Sequence, residues 1–231
     1  MKVGGNGLDG HDMMRLLFPF ALAAAVPAAA QTPQAPAGAD GPLILAFGDS
    51  LTAGYGLGRG LGFAPQLEDA LRRHGIKARV HDAGVSGDTT AGGRARLGWT
   101  LQRLGAKPDL AIVELGANDM LRGVDPKVTE ANLDAILAEL KRQGIPVLVA
   151  GMLAAPNLGP DYRQRYEAIF PTLARKYDAE LYPFILQGVV GNRALLLGDG
   201  VHPNFEGIKR MVTGIMPTVQ RALAKLDRRP A

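Results

Sequence analysis

Only two serines occur in the 231 residues and there is no cysteine, so a serine or thiolate nucleophile has very few places to be. Both serines fall in short glycine-bearing stretches, Gly48-Asp49-Ser50 and Gly84-Val85-Ser86-Gly87-Asp88. Of the four histidines, His74 ends an amphipathic helical pattern, His81 sits inside a strand pattern, and His11 belongs to the amino-terminal region. His202 differs, because it stands in the turn-rich run GDGVHPNFEG with Asp199 three residues before it. A carboxylate at that spacing can hold one ring nitrogen while the other faces a serine hydroxyl, which are the parts of a Ser-His-Asp relay. Taken alone, the same spacing also fits an Asp199 that caps the turn and a His202 that is an exposed loop residue.

Acyl transfer also needs donors for the negative oxygen of a tetrahedral intermediate. Three candidates are available: the N–H of Ser50, the N–H of Gly87, where no side chain obstructs approach, and the carboxamide of Asn118 in GAND. Asp49, Asp119, Ser86 and Asp88 are read first as formers of their own turns. Tyr55, Trp99, Tyr162 and Tyr166 are read as core or cleft wall, and Arg122 as a surface arginine.

Strand-like and helix-like patterns alternate in a way that would bring these residues together. LILAF (43–47) has strand length; FAPQLEDALRRHG (63–75) places Phe63, Leu67, Ala70 and Leu71 on one helical face. A strand is expected over 78–85, a helix over about 90–104 with Leu97, Leu101 and Leu104 inward, and a continuous apolar strand over 109–115. Leu133, Ile136, Leu137 and Leu140 mark a helix ending at Gly144, and 146–152 a fourth strand. A helix carrying Tyr166, Ile169, Phe170 and Leu173 leads to a short strand near 180–184. A last helix follows Pro203 to about Leu226, with an interruption expected at Pro217. Such alternation predicts an α/β fold, an open parallel sheet with helices on both faces. Ligands of such sheets sit beyond the carboxyl ends of the strands, where all three glycine-bearing turns fall.

With 47% apolar residues the chain can bury one good core, so a single domain is expected over 42–231. The formal charge of +4 is scattered, and no arginine-rich stripe interleaved with aromatics suggests a nucleic-acid partner. From Met13 the residues MMRLLFPFALAAAVPAAA have the layout of a secretory signal: Arg15, an apolar run from Leu16 to Val26, and an Ala28-x-Ala30 cut site. The run is short for a bilayer span, so a periplasmic or secreted protein without a retained anchor is expected, cleaved near Ala30. Residues 1–12 fit no part of such a leader and point to a true start at Met13 or Met14; 31–41 read as a Pro/Ala/Gly tether.

FGDSLTAGYG, GVSGDT, ELGANDMLRG and DGVHPN, in this order, resemble the four sequence blocks of the SGNH (GDSL-type) hydrolases, and the likeness extends from Pro42 onward. It is nearest the thioesterase I, arylesterase and lysophospholipase branch. The resemblance implies a three-layer, flavodoxin-like α/β/α sandwich of about five parallel strands. It further implies Ser50 as nucleophile, His202 as general base, Asp199 as its orienting acid, Ser50, Gly87 and Asn118 as oxyanion donors, and no cofactor. In the same branch the loop GMLAAPNLGPDYRQRY borders the acyl cleft, which makes Leu153, Pro156, Asn157 and Leu158 candidates for substrate contact.

The expected substrates are small molecules, short to medium acyl esters and aryl esters with acyl thioesters or lysophospholipids beside them, and the default assembly is a monomer. Three alternatives stay open on the residues. One is a carbohydrate O-acetylesterase of the same family. Another is a flavin- or phosphate-binding module using the turn after the first strand. The third is a metal-dependent hydrolase using Asp49, Asp119, Asp199 and His202.

Overall fold

The structure, a computed structural model, describes residues 41–226. The expected signal over 1–30 and the tether over 31–41, Gly41 excepted, lie outside the described residues. Within them, β1 (Leu43–Gly48) is apolar and buried on both faces, as an inner strand of a parallel sheet must be. It is joined by β2 (Arg79–Gly84), β3 (Leu110–Glu114), β4 (Val147–Ala150) and β5 (Glu180–Tyr182) in the order β2-β1-β3-β4-β5, all parallel. The order reverses between β1 and β3, and there the connections leave the sheet to opposite sides and open a crevice. The register sharpens this: Gly48 is level with Gly84 on one side and with Glu114 on the other. Three turns therefore start abreast at one edge.

The sheet lies between helical layers. α1 (Ser50–Ala53) follows β1 directly, and α2 (Phe63–Arg73) buries Phe63, Ala64, Leu67, Ala70 and Leu71, the stripe expected from its periodicity. α3 (Thr90–Arg103), α4 (Ala117–Leu121) and α5 (Pro126–Arg142) come next, and α5 turns Leu133, Ile136, Leu137 and Leu140 inward. α6 (Pro160–Glu167), α7 (Ile169–Lys176) and α8 (Phe205–Leu226) complete the chain. α2 packs on α8, while α3 packs on α5 and α5 on α7.

Several expectations are corrected. The helix foreseen around Tyr166 is two helices meeting at Ala168, because Pro171 cannot donate to the carbonyl of Glu167 and the helix restarts with that proline in its first turn. Conversely, α8 is not interrupted at Pro217. Pro217 and Thr213, whose carbonyl loses its partner, are both exposed to water, while Ile215, Met216, Thr218 and Val219 are buried and hold the helix through. Trp99 is not core: it is 61% exposed on α3, with the Arg103 guanidinium 4.9 Å from its ring centre. β2 is an edge strand with Arg79, His81 and Asp82 exposed.

Candidate active site

Ser50 is the first residue of α1, separated from the end of the buried strand β1 by Asp49 alone. Its hydroxyl oxygen lies 3.0 Å from His202 Nε2, across 152 residues of sequence. His202 Nδ1 lies 2.7 Å from Asp199 Oδ2. The other oxygen of Asp199 accepts from the N–H groups of Val201 (2.9 Å) and His202 (3.0 Å). Both sequence readings of Asp199 hold at once: one oxygen caps the turn and the other orients the ring. The Val201 N–H, followed by the His202 side chain, lowers the Asp199 carboxyl to about 2, so it is ionised throughout the neutral range. With that acceptor at Nδ1, the hydrogen of imidazole is placed there and Nε2 is free to accept from Ser50. The Tyr55 ring covers the imidazole at 4.4 Å between centres and is half exposed, so of the two roles expected for it, core or cleft wall, it takes the second.

The three oxyanion candidates converge on the same edge. Gly87 has φ +85°, a left-handed conformation that favours glycine, and its carbonyl accepts from Arg122 Nη2 at 2.8 Å. Asp88 pairs with Arg96 Nε at 2.5 Å, and the Arg96 guanidinium also donates to the Gly48 carbonyl (2.9 Å) and lies 4.1 Å from the centre of the Phe47 ring. Arg96 thereby ties the Gly87 turn to the end of β1. Asp88 is held by a partner eight residues away, more than a local turn-former. Arg122, although exposed, braces the same turn. The N–H groups of Ser50 and Gly87 have no acceptor in the hydrogen-bond network of the described residues. The Asn118 amide differs, donating to Asp49 Oδ2 (3.0 Å) and to the Asp88 carbonyl (2.9 Å).

Asp49 and Asp119 do more than hold their own turns. Asp119 accepts from the Thr90 N–H (2.8 Å), the Thr90 hydroxyl (2.5 Å) and the Thr129 hydroxyl (3.3 Å), which joins α3, α4 and α5. Asp49, fully buried, accepts from the Leu51 N–H at 3.0 Å as well as from Asn118. Burial raises its carboxyl to about 6 despite these donors. Beneath it lies Glu114, 3% exposed, a residue sequence reasoning passed over as part of a continuous apolar strand. The signal was available, since Glu114 is the one charged side chain in LAIVE. Its Oε2 accepts from the Thr52 hydroxyl (2.9 Å) and faces the Asp49 N–H (3.4 Å); Oε1 has no hydrogen-bond partner. A Cβ at Gly48 would come within 2.7 Å of that Oε2, so glycine is what lets the carboxyl fit there.

The substrate candidates divide. Leu153 and Pro156 line an apolar pocket of about 360 Å³ together with Met120, Met152, Ala154 and Phe184. Asn157 and Leu158 lie on the one-turn helix Pro156–Leu158 but are not among its lining residues. The four side chains weighed as metal ligands are dispersed, Asp49 to the Leu51 N–H and the Asn118 amide, Asp119 to its threonines, and Asp199 and His202 to each other, and no group of three acidic or histidine side chains is placed to hold a cation among the described residues.

Residues 46–210 match the GDSL-like Lipase/Acylhydrolase family. The chain is also 36% identical to Esterase TesA of Pseudomonas aeruginosa over 180 residues, covering 78% of this chain and 89% of that one. The chain belongs to the GDSL-like lipase/acylhydrolase family. It is 38% identical to Thioesterase 1/protease 1/lysophospholipase L1 of Escherichia coli K12, over 70% of this chain and 75% of the relative. Among solved structures, the SGNH-hydrolase esterase AlinE4 superposes with a TM-score of 0.68 at 49% identity, covering 83% of this chain and 98% of that one. The protein is accordingly a hydrolase of carboxylic esters, built on the SGNH fold.

Proposed function

We propose that the protein cleaves short to medium acyl esters and aryl esters, with acyl thioesters and lysophospholipids as further substrates, through an acyl-enzyme on Ser50. The observation that carries this is the unbroken line Ser50 Oγ–His202–Asp199, at 3.0 and 2.7 Å. His202 Nε2 takes the hydroxyl proton as Ser50 attacks the ester carbonyl, and Asp199 steadies the imidazolium that forms. The N–H groups of Ser50 and Gly87 receive the oxyanion. Asn118 joins them by giving up the Asp88 carbonyl, a neutral acceptor that a full negative charge outcompetes, while it keeps the Asp49 carboxylate. His202 then protonates the leaving alcohol or thiol, and water repeats the cycle on the acyl-enzyme.

The apolar pocket beside Met120, two residues past Asn118, supports acyl chains over sugars, because its lining offers little that hydrogen-bonds a hydroxyl. The signal-like residues from Met13 to Ala30 support export to the periplasm or beyond, with the enzyme acting there. No helix among the described residues is long and apolar enough to cross a membrane. Hydrolysis of p-nitrophenyl esters from acetate to palmitate tests the substrate range. The expected result is a maximum kcat/KM at short or medium chains. Negligible hydrolysis across the series beside rapid release of acetate from xylan would overturn it in favour of carbohydrate deacetylation.

A further inference from the structure

Glu114 and Asp49 form a buried pair of carboxyls directly under the nucleophile, and no Lys or Arg side chain among the described residues bonds to either. We infer that Glu114 is a positioning residue for the acyl transfer: as a neutral acid it donates its carboxyl hydrogen to Asp49, whose carboxylate holds the Leu51 N–H and the Asn118 amide. The inference rests on the acyl-enzyme reading of Ser50 and extends it one layer into the protein.

Two adjacent carboxyls shut away from water, with the Glu114 carboxyl reaching the Asp49 backbone, cannot both ionise, since each charge meets the other without solvent to screen it. One proton must therefore stay with the pair. The surroundings decide its place. Asp49 offers both oxygens to donors, Leu51 N–H on Oδ1 and the Asn118 amide on Oδ2, which is the setting of an anion. Glu114 receives one hydroxyl and one long contact on Oε2 and nothing on Oε1. Ionised, it would leave a buried oxygen without a donor; as an acid it has a hydrogen to give to the neighbouring Asp49 carboxylate. Burial, with the Asp49 charge second, raises the Glu114 carboxyl well above the usual range, in the same direction.

The neighbouring groups do not change this balance. His202 lies beyond Ser50, the Tyr166 phenol is neutral, Asp119 is taken up by Thr90 and Thr129, and Arg96 reaches the Gly48 carbonyl instead of a carboxyl. The functional consequence follows from Asn118. Its amide is fixed on one side by Asp49, so the hydrogen that must meet the oxyanion is aimed by the pair. A Glu114 that cannot donate leaves Asp49 without its partner underneath and lets the carboxylate and the Asn118 amide drift.

Glutamine keeps the shape and a donor, whereas leucine keeps the volume and removes it. Kinetics on p-nitrophenyl butyrate should leave Glu114→Gln within about threefold of wild type and lower kcat of Glu114→Leu by about a hundredfold with little change in KM, the signature of a contact made in the transition state. The infrared spectrum of the intact protein at neutral pH should contain the carbonyl band of a buried carboxylic acid, and Glu114→Gln should remove it. That readout stands even if Glu114→Leu does not fold. Absence of the band, or a Glu114→Gln loss as deep as that of Glu114→Leu in a protein whose Ser50→Ala variant is dead, overturns this role alone. Activity surviving in Ser50→Ala overturns the acyl-enzyme reading and this inference with it.

Discussion

At the residue scale the site is a set of scarce chemical types forced to one edge. Ser50, His202 and Asp199 were legible in the sequence because two serines and a handful of histidines leave few combinations, and because a carboxylate three residues before an imidazole has an obvious geometry. Glu114 showed in the sequence only as the single charge in LAIVE, and what one carboxylate is for in a buried strand is not readable until the Asp49 beside it is seen. Asn118 was named as a donor, but its resting bonds to Asp49 and Asp88 are tertiary and leave no trace in local spacing. Replacing it should show its role. Asn118→Ala is expected to lower kcat by about 10²- to 10³-fold while KM changes little, as steady-state kinetics on an aryl ester would report. Gly87→Ala has room for its methyl group, with only Arg122 Nη2 at 3.8 Å, so its cost is conformational. We expect about 1–2 kcal/mol of lost stability in denaturant titration from the left-handed backbone, and a larger proportional loss of kcat as the N–H turns away.

At the element scale, periodicity located the buried faces of α2 and α5 and the succession of strands and longer helices along the chain well, because apolar spacing is set by the same burial that builds the layers. It could not find α1 or α4, whose four and five residues complete too few turns to show a period, yet these two helices carry Ser50 and Asn118. Proline misled in both directions. Pro171 divides the α6–α7 region where an unbroken helix was expected, and Pro217 fails to divide α8 because its exposed side forfeits a hydrogen bond to water-facing backbone while the buried side keeps its packing. Pro217→Ala should therefore restore a helical bond without disturbing the core. The expected gain is about 1–3 kcal/mol in chemical denaturation, with esterase activity unchanged.

At the scale of the whole molecule, the buried carboxyls couple folding to pH. Glu114 has its folded pKa raised above the 4.5 of an exposed glutamate, so above that pH the folded state binds a proton the unfolded chain has released. Stability then falls as pH rises, by about 1.4 kcal/mol per unit for each such group. Asp49 adds a slope of the same sign between 3.8 and about 6. Glu114→Gln should remove the first slope, so its melting temperature should exceed that of wild type at pH 8 and the gap should close toward pH 4.5. Activity runs the other way. A general base must be unprotonated and Asp49 must be ionised to hold Asn118, so kcat/KM should rise from acid through about pH 6 into mildly alkaline solution; a rate flat across that span contradicts both roles. These effects all depend on one event, acylation of Ser50, and the most direct measurement is mass spectrometry of the protein after exposure to a fluorophosphonate, with p-nitrophenyl butyrate hydrolysis followed in wild type and Ser50→Ala. The expected result is a single adduct on the peptide containing Ser50, with activity lost in step with labelling and absent from the variant. An unlabelled Ser50, or hydrolysis undiminished in Ser50→Ala, would contradict the account at its centre.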